Sequence, residues 1–431
     1  MCKMGTHNGS VASWNAAERS LFSLRLAVTS LVALLLLSIS AAAVGAAPET
    51  PVKIDRAGMQ LFSEDVDGAY ICTAEMMQRK PSRCPPYGPQ ARETRLDFLR
   101  AQLPDPLPEL AVEELEQPED PITPYSFAYV RPLPAATYGH PAEASAGLPP
   151  MNQFLAGDNW VSVLGSLEYN GETWYEINRN EFIRGNHIAF TNPSRFSGVV
   201  LNEQPAYPFA WLNRNTQPAS TPGGALREDI VLQRYQRVTL FAQEALGEQL
   251  WYMIGPDQWI EQSTTARVDV NPRPEGVGPG EKWLEINTFE QTLAAYEGDR
   301  MVFATLISSG RHGTWTPNGL TRIWGKYVSA PMQNRDVSPD SGLWYYLEDV
   351  EWTQYFNGAY ALHAAYWHNS FGFTRSHGCV NLTILDAKWL YQWTSPAASE
   401  ESDVVYSQSA DPGTWVYVHM TPPAPNVYAS Q

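Results

Sequence analysis

Ser376-His377-Gly378-Cys379-Val380-Asn381, with His363 upstream in Leu362-His363-Ala364-Ala365-Tyr366-Trp367, decides the reading of this 431-residue chain. A cysteine sulfur attacks a carbonyl as the thiolate, so it needs a base to take its proton and a backbone that lets the carbonyl come close. Two histidines and a glycine supply both around one cysteine. The chemistry such a set can perform is acyl transfer through Cys379.

These residues resemble the catalytic signature of the L,D-transpeptidases, the YkuD-type domain: a histidine, a gap, Ser or Thr, then His-Gly-Cys, an apolar residue, and Asn or Arg. The gap here runs from His363 to His377, and Asn369, Phe371 and Gly372 are similar to the family's aromatic-His-Asn-Asn-Phe-Gly loop. Upstream, Thr316-Pro317-Asn318-Gly319 with Ile323 resembles its Thr-Pro-x-Gly turn. Trp283-Leu284-Glu285-Ile286, through Gln291, Leu293 and Tyr296, resembles its opening strand pair. One departure is visible: the small Gly-Thr pair that commonly follows the first histidine is Ala364-Ala365 here.

The resemblance implies a mostly β chain with a YkuD-type β-sandwich catalytic domain and a short helix over residues 276–425. It implies that His363 is the base for Cys379, with the Ala364 backbone as its orienter. His377, Gly378 and the Cys379 amide would shape the oxyanion site, and Ser376 and Gly378 the nucleophile loop. Asn381, His368 and Tyr327 are its substrate-side candidates, each with a structural alternative: loop fixing for Asn381, a structural or exposed histidine for His368, an aromatic core position for Tyr327. The implied substrate is a peptidoglycan stem peptide, whose L-centre carbonyl would be attacked with loss of the terminal D-alanine. The acyl group would pass from the Cys379 thioester to an amine, with water as the competing acceptor. No cofactor is implied, and the residues name no oligomeric state.

Residues 1–46 hold Lys3, Arg19 and Arg25, then an uncharged apolar stretch over 26–43 that ends near Val44-Gly45-Ala46-Ala47. This pattern predicts a cleaved export signal or, since the stretch is close to the ~20 residues that span a bilayer, a membrane anchor. An exported protein in the cell wall or elsewhere outside the cytoplasm is expected. The formal net charge of −17 disfavours nucleic acid, whose binding rests on phosphate neutralisation. Cys72 and Cys84 flank Lys80-Pro81, and in an oxidising compartment a disulfide closing that loop is expected, with two separate thiols as the alternative. Neither they nor the histidines near Cys379 have metal-motif spacing.

Residues 47–150 form a Pro-rich N-terminal region, and from Cys84 to about Pro150 the density of proline predicts an extended tether with one short helix over 109–115. Two stretches then repeat with a shift of 77 positions: Trp174, Tyr175, Ile177, Phe182 and Ile183 recur as Trp251, Tyr252, Ile254, Trp259 and Ile260, and Val161 and Val163 recur as Val238 and Leu240. Their alternation predicts short strands, and Asn170-Gly171 a hairpin. Both copies resemble bacterial SH3-like barrels, over 151–200 and 201–275. Their Trp and Tyr residues are expected to form the barrels' own cores and fix one domain on another, with a glycan- or peptide-binding groove that positions the enzyme on the wall as the alternative. The Pro/Gly-rich run Asn271 to Gly280 predicts a joint. Beyond it strands are expected at 283–287, 292–296, 301–308 and 360–364. A helix carrying Leu385, Trp389, Leu390 and Trp393 should follow, its N-terminus close enough to the cysteine to favour a thiolate.

Three other readings compete. A cell-wall cysteine peptidase places its nucleophile before its histidine, the reverse of His363 and Cys379. A zinc site from His363, His368, His377 and Cys379 would consume the nucleophile. A non-catalytic wall-binding protein would have no need of an intact His363, His377, Gly378 and Cys379.

Overall fold

The computed structural model describes residues 89–422 apart from 119–122, 124, 335–336, 339–342 and 399–401, together with the pairs 3–4, 53–54 and 60–61. The apolar 26–43 segment, Cys72 and Cys84 lie outside the described residues. Among the described residues no helix is long and apolar enough to cross a membrane. The catalytic-type region and both repeats belong to one compact unit.

The fold is mostly β and is built on two sheets. In the first, strands run in the order Gly319–Arg322, Trp415–His419, Lys282–Asn287, Thr292–Glu297, Arg300–Leu306, Val199–Leu201 and Val112–Glu114. Apolar runs such as Thr292-Leu293-Ala294-Ala295-Tyr296 are buried on both faces, which fits a central strand. The second sheet is organised by the long strand Tyr345–Asn357. Gly325–Gln333 pairs along one edge of it. Its other edge is shared: Asp158–Val163 runs parallel to residues 345–347, and Tyr360–Ala364 runs antiparallel to residues 354–357. Val380–Leu382 then lies parallel to Tyr360–Ala364.

The two repeats fold as the 77-residue shift requires. Glu172–Asn178 corresponds to Gln249–Gly255 and Glu181–Arg184 to Gln258–Glu261, each hairpin carrying a bulge at the equivalent place, Glu176/Asn178 and Met253/Gly255. A one-turn 3₁₀ helix follows each. Each copy has its own small core, one with Val130, Val161, Ile177 and Ile183 and the other with Leu212, Leu240, Tyr252 and Ile260.

Three expectations about the upstream half are corrected. The proline-dense segment is no tether: it supplies Ser126–Val130 and Ala135–Tyr138, and Val112–Glu114 is a strand where a helix was expected. Pro132 and Pro134 sit between strands and Pro141 sits in the first turn of the Pro141–Ser145 helix, where the missing N–H costs nothing. The boundary at 151 cuts the first repeat, because its strands begin at Ser126. The boundary at 200 cuts the sheet, because Val199–Leu201 pairs with the Arg300–Leu306 strand.

Neither repeat is a separate bead. Phe127 stacks on Tyr366 at 3.6 Å between centroids and lies inside the main core with Leu284, Val380 and Leu390. Phe209, Trp211, Ala266 and Val268 of the second repeat share a core with Trp283, Tyr296 and Phe371. The Pro/Gly joint is present but fastened: Asn271 Nδ2 donates to Glu285 Oε1 at 2.6 Å, and Asn271 N–H to the Tyr296 hydroxyl at 3.2 Å.

Candidate active site

Alternation along two neighbouring strands assembles the site. His363 pairs with Asn381 across Tyr360–Ala364 and Val380–Leu382, so both side chains leave the same face, and Cys379, two residues before Asn381, joins them. Leu362, Ala364, Val380 and Leu382 point the other way, into the main core. Burial of that apolar face holds His363, Cys379 and Asn381 on the floor of a cleft of about 580 Å³. His363 is 2% exposed and Cys379 3%.

His363 Nδ1 lies 2.9 Å from its neighbour's carbonyl, Ala364 O. A carbonyl only accepts, so Nδ1 carries the proton and Nε2 is left with its lone pair. Burial pushes the imidazole down to about 4, and the Ala364 carbonyl opposes this more weakly. At neutral pH His363 is therefore uncharged and able to take a proton. His377 differs in that its Nε2 is already engaged. Its Nε2 is 2.8 Å from Arg311 Nη2, its ring stacks on Tyr345, and burial followed by the Arg311 charge lowers it to about 4.

The nucleophile loop is clamped from within and from a second loop. Ser376 Oγ donates to the Cys379 carbonyl at 2.5 Å and accepts from the Gly378 N–H at 3.0 Å. Thr316 Oγ1 donates to the Gly378 carbonyl at 2.9 Å and accepts from the Gly310 N–H at 3.0 Å. Gly378 has φ +119, and a Cβ there would meet the Tyr360 ring at 2.4 Å, so only glycine fits. Its N–H is committed to Ser376, which makes Gly378 a loop residue and removes its amide from the oxyanion expectation.

His368 is buried behind the site. Its Nδ1 accepts from the Ser370 N–H at 3.1 Å, so Nε2 carries the proton. The atom placed 2.9 Å from it is Asn381 Nδ2, two donors face to face, while Asn381 Oδ1 is buried and unpartnered, so the carboxamide is to be read turned over. The Asn381 oxygen is the matching acceptor for that N–H, which turns the amide nitrogen toward the remaining side. His368 thus orients Asn381, while Asn381 itself lines the cleft. Tyr327 does not line it: its hydroxyl is 2.6 Å from that of Tyr406, and its ring meets Tyr355 edge-on. The helix Ile384–Trp393 is present, capped by Thr383 Oγ1. An extended segment separates it from Cys379, about 13 Å at ~3.3 Å per residue, so its dipole, which fades beyond the first turn, does not reach the sulfur.

The second repeat reaches the loop before the site. Arg234 Nη2 donates to the Asn369 carbonyl at 2.9 Å, and Tyr235 OH donates to Asn369 Oδ1 at 2.8 Å. The first repeat goes further and lines the cleft with Tyr129, Arg131, Asp158, Trp160 and Phe190. None of these was legible as a site residue, because a wall supplied by distant strand pairing leaves no local motif. Arg311 and Tyr345 were missed for the same reason.

A family model of the L,D-transpeptidase catalytic domain, YkuD, matches residues 281–418. Those residues are a YkuD-type L,D-transpeptidase catalytic domain. A Bacillus subtilis (strain 168) protein named as the L,D-transpeptidase YciB is 28% identical over 126 residues, 26% of this chain and 59% of that one. The chain thus spans 59% of the length of that relative. Among solved structures, the L,D-transpeptidase LdtMt1 in complex with imipenem is 18% identical, with a TM-score of 0.27 over 40% of this chain and 67% of its own. An L,D-transpeptidase from Mycobacterium smegmatis is 15% identical, with a TM-score of 0.27 over 69% of this chain and all of its own. The YkuD-type domain ends at the family boundary, but the cleft does not: seven of its lining residues precede residue 281.

Proposed function

We propose that this chain is a cysteine-dependent L,D-transpeptidase that acts on peptidoglycan stem peptides outside the cytoplasm. The observation that carries the reading is the shared cleft face of two adjacent strands, with a neutral His363 beside the strand that follows Cys379. His363 Nε2 takes the thiol proton as the sulfur attacks the L-centre carbonyl. The carbonyl π bond opens to an oxyanion, which then collapses, and the terminal D-alanine leaves with the proton held on His363. A thioester on Cys379 results. An incoming amine, its proton taken by His363, attacks that thioester and restores the thiol. Asn381, held by His368, forms part of the cleft floor beneath the bound peptide.

The family domain and the B. subtilis relative support the substrate class. The test is to incubate the full chain with a tetrapeptide-stem muropeptide and an amine acceptor and to identify the products by mass. Release of D-alanine with acyl transfer to the amine is the expected result. Release of D-alanine with water as the sole acceptor would make the protein an L,D-carboxypeptidase, and no release at all would overturn the reading.

A further inference from the structure

Part of the cleft wall is built by the first repeat, and strand pairing fixes it there. Asp158 pairs with Tyr345, Trp160 with Leu347, and Tyr129 with Trp160. Along Asp158–Val163 the buried Asn159 and Val161 alternate with Asp158 and Trp160, which face the cleft. Arg131 follows the Ser126–Val130 strand, its N–H donating to the His187 carbonyl at 2.8 Å and its guanidinium 5.3 Å from the Tyr129 ring.

The charge of this cleft runs against that of the chain. The whole sequence carries 46 acidic and 29 basic residues, yet the cleft holds three guanidiniums, Arg131, Arg311 and Arg375, and one carboxylate, Asp158. Asp158 Oδ1 accepts from the Tyr129 hydroxyl at 2.9 Å. Among the described residues none of the three arginines forms an ion pair with a carboxylate, and Arg311 meets only the imidazole of His377 at 2.8 Å. Like charges gathered in one cleft repel unless an anion joins them, and the planar fork of a guanidinium matches a carboxylate in two parallel hydrogen bonds. The cleft therefore carries an excess of two positive charges.

We propose that Arg131, supplied by the first repeat, acts with Arg311 and Arg375 to make this cleft selective for a peptide bearing at least two free carboxylates, with Arg131 as a specificity-determining residue. The proposal rests on the reading of the cleft as a peptide acylation site. On this account the first repeat is a wall of the active site, and the amidation state of the peptide decides how well it binds.

The test reads binding apart from turnover. The full chain carrying Cys379→Ser is titrated calorimetrically with a synthetic tetrapeptide that has two free carboxylates and with its diamide. The acidic peptide should bind about tenfold tighter or more, as charge-assisted hydrogen bonds allow, and the advantage should shrink with added salt. Adding Arg131→Gln should narrow the ratio of the two affinities by about threefold or more, because an exposed glutamine keeps a donor but not the charge, while Arg311 and Arg375 remain. Equal binding of the two peptides, no binding of either, or an unchanged ratio in the Arg131→Gln chain would each overturn the proposal. A structural role for Arg131 would weaken both peptides alike and leave the ratio where it was. Failure of acyl transfer in the unsubstituted chain would count against the function proposed above and not against this ratio.

Discussion

At the residue scale the chemistry depends on a histidine kept neutral and a loop kept still. Burial holds His363 near 4, so it is an uncharged imidazole at neutral pH, as the base of the proposed mechanism has to be. His363→Ala should lower the acylation rate by about 10²–10⁴-fold, with partial recovery as pH passes ~8.5, where an ordinary thiol ionises unaided. A stopped-flow or mass-resolved pH–rate profile checks this. His377 and Cys379 were legible in the sequence together with His363, because the motif places them on one short segment. The role of Thr316 was not, although its turn was recognised: only the folded chain shows its hydroxyl bridging Gly310 N–H and Gly378 O. Thr316→Val leaves both buried groups unpaired. It should cost about 1–3 kcal/mol in thermal unfolding and slow alkylation of Cys379 as the loop loosens.

At the scale of elements the long strand Tyr345–Asn357 organises the cleft, because its shared edge receives the first repeat at one end and the His363 strand at the other. It was not legible. Asp349 and Trp352 sit at positive φ and interrupt its alternation, and its partner Gly325–Gln333 shifts register between Ala330 and Met332, so no sustained period of two marks either strand. By contrast the Trp283, Thr292 and Met301 strands were readable, because each is a short apolar run bounded by turn residues. The seam with the first repeat is polar: Ser162 N–H donates to Glu348 Oε2 at 2.9 Å and Ser162 Oγ to Asp349 Oδ2 at 2.6 Å. Burial, followed by the Asp349 charge, raises Glu348 to about 8 against the Ser162 hydrogen bond. The native carboxyl is then protonated at pH 6, while the unfolded one ionises above about 4.5. Its contribution to stability is full below that value and is lost as pH rises toward 8. Glu348→Gln cannot ionise, so between pH 5 and 8 the variant should lose less stability than the parent, by on the order of 2 kcal/mol in denaturant titrations. An identical pH dependence would mean that Glu348 is ionised in the native seam.

At the scale of the whole molecule the repeats are structural parts of one unit with the YkuD-type domain. Their repetition was legible down to single strands, since equal spacing of Trp, Tyr and Ile survives in any register of reading. Their attachment was not, because it depends on residues such as Phe127 that lie in a proline-dense stretch and meet Tyr366 only in the fold. Phe127→Ala should cost about 3–5 kcal/mol, the usual price of an aromatic removed from a packed core. Deleting residues 151–270 should leave a fragment without a cooperative thermal transition. It strips Asp158–Val163 from the central strand and Trp211, Ala266 and Val268 from a shared core. A deletion product that melts cooperatively and still acylates would show the repeats to be dispensable.

The central claim is that Cys379 is the nucleophile and His363 its base. Intact-protein mass spectrometry of the full chain after brief exposure to a tetrapeptide-stem donor, followed by peptide mapping, tests it most directly. The account predicts one acyl mass, located on the peptide that carries Cys379, absent in Cys379→Ser and formed much more slowly in His363→Ala. Product formation with Cys379 unmodified, or an adduct that accumulates at the same rate without the His363 imidazole, would contradict it.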